Sequence, residues 1–315
     1  MDFTLSDEQV MLRDTARGLL AKHCPMSLVR AHIDDAAAAD PLWEHLSEWL
    51  VLGDGPLVDL CLFLEECGAV LAPGPFVPSV LARSLISLDE GASATVALAG
   101  ADGQWVVNDE ATKTFVLEAD RVDYVLAVSS AGIVTAAPAS VRQVGSVDWS
   151  RRIFEVEVSV GETSTPADID AWLERATVAI AAELVGTARW LLHATIEYAK
   201  QRVQFDVPIG SFQAIQHKLA NMSVAVERAV SAVYYAAMAI DADDPDRHRA
   251  AHVAKAAAGR AATLCAKDGI QIHGGIGYTW EHDLHLYIRR AYASEHLLGT
   301  AGWHHDRLAD LLFSD

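Results

Sequence analysis

Backbone N–H groups can be brought against a phosphate wherever glycines cluster, and this chain concentrates them in HGGIGYT, His273 to Thr279. The spacing of Gly274, Gly275 and Gly277 does not make G-x-G-x-x-G, and the string follows a helical pattern, so a dinucleotide-binding βαβ unit is not indicated. Taken alone, it reads as an interhelical turn that needs positive φ. Thirteen histidines raise the question of a metal, and His282 and His285 sit three apart beside Glu281. No Glu-x-x-His and no His-Glu-x-x-His occurs, however, so ordinary hydrogen-bonded histidines are expected and no metal. Cys24, Cys61, Cys67 and Cys265 form no C-x-x-C pair and read as buried free thiols in a reducing compartment. Without a G-x-S-x-G elbow, no serine nucleophile is indicated.

The elements that must carry these residues fall into three parts. Residues 1–89 read as a helical domain. Ser6 and Gln9 make a capping box, Leu12, Ala16, Leu19 and Leu20 recur at helical spacing up to Pro25, and Pro41 to Trp49 and Leu57 to Leu71 continue the pattern. The three prolines of APGPFVP are expected to end it. Residues 90–163 form a small β domain of short runs, TVALAG, QWVVN, KTFVLE, DYVLAVSS and GIVTAAP. Arg152 to Val160 is the clearest strand, alternating Phe154, Val156, Val158 and Val160 with Ile153, Glu155, Glu157 and Ser159. Residues 164–315 regain the helical period in four stretches, about 168–201, 212–240, 247–270 and 281–298, and predict an antiparallel four-helix bundle. The first could be about 50 Å long. The fold class expected is α+β, mainly α.

With 315 residues, 51% of them hydrophobic, the chain can bury a large core. Its net charge of −19 repels phosphate backbones, which argues against nucleic acid as a partner. Acidic residues occupy the N-terminus where a secretory signal would be basic, and no run of about 18 uncharged apolar residues occurs, so a soluble, cytoplasmic protein without a membrane span is expected.

Two longer strings carry more. QRVQFDVPIGSFQAIQHKLANM, Gln201 to Met222, and QIHGGIGYTWEHDLHLYIRRA, Gln271 to Ala291, closely resemble the C-terminal helical domain of flavin-dependent acyl-CoA dehydrogenases. EECGAVLAPGPF and the first helix extend the resemblance, and the β domain carries it more weakly. The resemblance implies the same three-part fold and oxidation of an acyl-CoA thioester to the 2,3-enoyl-CoA. In that reaction a carboxylate takes the α-proton, FAD takes the β-hydrogen as hydride, and an external acceptor such as an electron-transfer flavoprotein reoxidises the flavin. It also implies an FAD lying across a subunit interface, to which this chain would offer Arg202, Phe205, Gln213, Gln271, Gly274 and Gly275. A guanidinium suits pyrophosphate, glycines admit close N–H groups, and glutamines can donate to phosphate or adenylate. As alternatives, Phe205 could be core and Arg202 a helix cap. Asp206 stands where the family usually has Gly.

The departures are as informative. The Thr-Glu-Pro loop that contacts the chain's own flavin in the family is replaced by VALAGADGQW, Val96 to Trp105, and the next flavin-facing string by KTFVLE, Lys113 to Glu118. The Glu that commonly precedes Gly-Thr as catalytic base is Leu298, which cannot accept a proton. Where members place the base on the first bundle helix, gapless counting reaches Ala176. Glu183 is seven residues, about 10 Å, further along, and Glu174 points roughly 200° away. Glu295 is expected to face solvent or pair with Arg290. No complete active site is therefore expected in this chain. It reads as the short subunit of a heteromeric enzyme, an α2β2 tetramer with a longer homologue holding the flavin, of the kind found in steroid-degrading members. The alternatives are a self-sufficient enzyme using Glu183 or Glu174 as base, and a non-enzymatic scaffold.

Overall fold

The computed structural model describes residues 4–136, 138–158, 165 and 167–313. Helix α1 (Asp7–His23) opens with the expected reciprocal box: Gln9 N donates to Ser6 Oγ at 3.2 Å and Ser6 N to Gln9 Oε1 at 3.1 Å. Pro25 ends this helix and at once caps α2 (Met26–Asp34), which the apolar spacing did not reveal. After α3 (Asp40–Leu46) and a 3-10 segment, α4 (Leu57–Ala69) runs through the interior. Helix α4 ends at Ala69, just before the prolines of APGPFVP, as expected, but the helical region resumes within that string. A further helix, α5 (Phe76–Arg83), starts directly after Pro75 and keeps Pro78 in its first turn, where no intrahelical N–H bond is lost.

The β domain is two three-stranded sheets. Strands β1 (Ala94–Ala97), β3 (Tyr124–Ser129) and β4 (Gly132–Ala136) form one in the order β1-β3-β4, and β2 (Thr112–Leu117), β5 (Ser140–Val144) and β6 (Ile153–Glu157) the other in the order β2-β6-β5. QWVVN is not a strand. Its Asn108 instead bonds the Leu98 carbonyl and receives Lys113 Nζ, folding the segment into a loop. In β6 the alternation buries Phe154 and Val156, with Val158 beyond the strand end, between the sheets against Val116 and Val125. Ile153, read as outward, is buried on the opposite side with Leu117 and Val128. Ser159 and Val160 lie outside the described residues.

Asp168 caps α6 (Ile169–Gln201), whose 33 residues span about 50 Å. A small hairpin, β7 (Val203–Gln204) and β8 (Val207–Pro208), leads into α7 (Gln213–Asp241), α8 (Arg247–His273) and α9 (Leu284–His296). The last is shorter at both ends than its pattern suggested. A separate α10 (Ala301–Phe313) follows. Helices α4 and α6 meet backbone to backbone: a Cβ on Gly68 would lie 2.0 Å from Glu183 O, and one on Gly186 1.8 Å from Glu65 O. This approach merges the N-terminal helices and the bundle into one core. All four cysteines are free and buried in it.

Candidate functional site

The hairpin between α6 and α7 projects from one end of the bundle. Arg202 is the C-terminal cap residue of α6 through its backbone N–H to Tyr198 O, at 2.8 Å, while its guanidinium is exposed and has no partner among the described residues. Phe205 is 88% exposed and so is not core. Phe205 and Asp206, at φ +54° and +64°, form the two-residue turn of the hairpin. Such a turn wants left-handed residues in both central places, and Asp tolerates that conformation better than most. The turn geometry thus accommodates Asp206 at a position where the resemblance implies Gly. Gln213 opens α7 in full exposure.

The glycine loop lies at the same end. Gln271 is exposed on the last turn of α8, Gly274 terminates the helix at φ +64°, and a Cβ on Gly274 or Gly275 would meet nothing within 4 Å. Gly277 differs, being packed 2.7 Å from Ile270 Cδ1 as a Cβ would see it. The Tyr198 ring stacks on His273 with centroids 4.3 Å apart, and its hydroxyl donates to the His273 carbonyl at 3.3 Å. All six residues expected to face a flavin are exposed at one end of the molecule, and the Tyr198–His273 contact joins the helix that leads into the hairpin to the helix that leads into the loop. Of the histidines singled out earlier, His282 Nδ1 accepts from Leu284 N, while His285 packs against Trp149 and Trp280 with its Nε2 buried and without a hydrogen-bond partner among the described residues.

The segments that depart from the family pattern converge elsewhere. Val96, Trp105, Phe115, Leu117 and Leu298 line one cavity of about 40 Å³ with Trp172 and Ile180, and no titratable side chain borders it. Trp105 and Phe115 stack inside this region at 5.7 Å. Leu298 (φ +56°) and Gly299 (φ +101°) form a tight turn held from behind. Lys255 Nζ donates to the carbonyls of Glu295 and Gly299 at 2.8 and 2.7 Å, and His304 Nε2 lies 3.0 Å from Leu298 O. Burial pushes Lys255 down to about 7 and His304 down to about 3.

Glu183 is held elsewhere through its Oε1, while its Oε2 is buried without a hydrogen-bond partner among the described residues. It accepts from Arg151 and, at 2.9 Å, from Arg290 Nη1, while Arg290 Nε bonds Asp148; all four side chains are buried. Burial would raise Asp148, but the Arg290 and Arg151 charges hold its carboxyl below the ordinary range. Two cations and two anions balance inside the core, and none of them borders the cavity beside Leu298. Glu295 neither faces solvent nor pairs with Arg290. Its Oε1 accepts from Ala301 N at 2.7 Å and so starts α10, because Arg290 is already saturated by Asp148 and Glu183. Glu174 pairs with His248 and Arg247 and lines a second, larger cavity. Burial pushes its carboxyl up, against the pull of His248 and Arg247.

The Arg151–Glu183–Arg290–Asp148 network and the Lys255–His304 clamp were not legible in the sequence. The only signal was the unusual pair of arginines in YIRRA, whose partners lie more than 100 residues away in sequence.

Residues 169–313 match the acyl-CoA dehydrogenase C-terminal domain family. The chain is 35% identical over 311 residues to the acyl-CoA dehydrogenase IpdE2 of Mycobacterium tuberculosis, covering 94% of each. The ChsE4-ChsE5 complex of Mycobacterium tuberculosis contains a chain with the same fold, at a TM-score of 0.86 and 23% identity over 100% of both. A variant of the steroid ACAD Tcur3481-Tcur3483 superposes at a TM-score of 0.84, with 24% identity over 99% of both. The chain belongs to the acyl-CoA dehydrogenase family. These are flavoproteins that oxidise CH–CH bonds, and FAD is the cofactor that membership implies.

The residues present fit FAD on one side only. The exposed, unpartnered Arg202, the exposed glutamines and the open space at Gly274 and Gly275 suit a phosphate-bearing group approaching from outside. The cavity of about 40 Å³ that this chain's own β domain makes with Leu298 does not fit a tricyclic ring, being far below the roughly 300 Å³ where ligand pockets begin.

Proposed function

We propose that this chain is a subunit of a hetero-oligomeric, FAD-dependent acyl-CoA dehydrogenase. It offers Arg202, Phe205, Gln213, Gln271, Gly274 and Gly275 to a flavin held by a longer homologue, which also supplies the catalytic base. The observation carrying this reading is the contrast between an exposed, unpartnered flavin-facing surface and a small apolar cavity around Leu298 that no titratable side chain borders. A side chain without a proton-accepting atom cannot remove the α-proton.

The surface of α7 supports a protein partner. Its apolar stripe is buried at Met222, Val226 and Val233 but leaves Phe212 38% exposed and Ile215 and Leu219 part-exposed. Across its most apolar window only 33% is buried. An apolar helix face left open in one chain fits burial in an assembly. We assign the assembly as an α2β2 tetramer in the cytoplasm, its substrate as an acyl-CoA thioester of steroid origin and its electron acceptor as an electron-transfer flavoprotein. The heteromeric ChsE4-ChsE5 complex and the steroid ACAD of the same fold support this choice.

The chain purified alone should be colourless, and co-expression with a longer homologue should yield one FAD per heterodimer. A preparation of this chain alone that carries FAD and is bleached by an acyl-CoA would overturn the reading. One observation favours the self-sufficient alternative: Glu174 lines an open cavity that Leu298 also borders. In that case Glu174→Gln would abolish turnover.

A further inference from the structure

A cavity of about 420 Å³ lies between α6, α8 and α10, closed on one side by Trp105 and Leu298. It lies within the size range of small-molecule sites, which combine apolar walls with a few convergent polar groups. Trp105 and Trp303 supply aromatic faces, while Glu174, His252 and His304 supply the polar groups.

The hydrogen bonds define what those groups can do. The Leu298 carbonyl can only accept, so His304 Nε2 carries a proton and donates to it. His304 Nδ1 is then an acceptor, and it receives the proton of His252 Nδ1 at 2.7 Å. His252 Nε2 is therefore left without a proton and has no partner among the described residues. Burial pushes both imidazoles down, so both stay neutral near pH 7. The remaining polar groups on the lining are Thr177, whose hydroxyl can donate or accept, His248, and the carboxylates Asp170 and Glu174, the latter paired with His248 and Arg247. The unpartnered acceptor at His252 Nε2 therefore favours a ligand that can donate, and the bordering carboxylates disfavour an anion.

We propose that this cavity binds an uncharged ring-bearing alcohol or phenol, with its ring against Trp105 and Trp303 and its hydroxyl donating to His252 Nε2. The proposal does not rest on the flavin reading. It is tested on the purified full chain by calorimetric titration with 2-naphthol, 2-methoxynaphthalene and 2-naphthoate. Saturable binding of one 2-naphthol per chain is expected. The methyl ether, which has no donor, should bind about tenfold more weakly, as the loss of one hydrogen bond implies. The carboxylate should bind more weakly still.

Ala251→Phe fills the cavity from α8 and should weaken 2-naphthol at least tenfold. Should that variant not fold, Trp303→Leu serves in its place. Equal affinity for 2-naphthol and its methyl ether, undiminished binding in a folded variant, or no binding at millimolar 2-naphthol would each overturn the proposal. None of these probes is a thioester and no flavin is read, so failure here leaves the subunit assignment standing.

Discussion

The aromatic ring of Tyr198 lies on the imidazole of His273 at 4.3 Å and 20°. Tyr198 is four residues before Arg202 and His273 immediately precedes Gly274, so one stacked pair sets the relative position of the guanidinium and the glycine loop. Neither residue has to touch a ligand to matter; each fixes where its neighbours stand.

Arg202→Ala should leave the stability of the isolated chain within about 0.5 kcal/mol, because the guanidinium is exposed and has no partner among the described residues. In the complex with a longer homologue the same variant should reduce the flavin-to-protein absorbance ratio. Unchanged flavin content would contradict the assigned role.

Glu183→Gln should cost about 3 to 5 kcal/mol in urea denaturation, since it leaves Arg151 and Arg290 sharing the single charge of Asp148 in the core. A stable variant with abolished turnover would instead make Glu183 a base.

Gly186→Ala should destabilise by more than about 3 kcal/mol, or prevent folding, because its methyl group would have to occupy the position of the Glu65 carbonyl 1.8 Å away. Gly275→Ala, with open space around it, should fold normally and serves as the control.

Burial pushes the Glu118 carboxyl up to about 7, against the amide hydrogen bond and charge of Arg152. Its folded value lies above the unfolded one of 4.5, so its stabilising contribution is complete below the unfolded value and is lost as pH rises through 7. Glu118→Gln should therefore be more stable than the parent at pH 8, by on the order of 2 to 3 kcal/mol, and equal to it near pH 4.5. Parallel pH–stability curves for the two proteins would disprove this.

The long helices and β6 were legible because their apolar residues recur with one period against one core. Helix α5 was not, since Pro73, Pro75 and Pro78 look like terminators when it is unknown that Pro78 falls in a first turn, where its missing N–H goes unused. QWVVN misled for the opposite reason: β-prone residues were held in a loop by Asn108 and Lys113. At the site, local strings located Arg202, the glycines and Leu298. The partners of Glu183 and the clamp on Leu298 come from distant segments, and no local spacing encodes such pairings.

The apolar lining around Leu298 bears on how such a chain can change over time. A single Leu298→Glu replacement would place a carboxylate among Trp105, Phe115, Trp172 and Ile180, with no cationic side chain bordering the space to stabilise its ionised form. On the proposed reading, one substitution suffices to remove such an acid, whereas restoring it requires several neighbours to be remade together, which gives its loss the character of a ratchet.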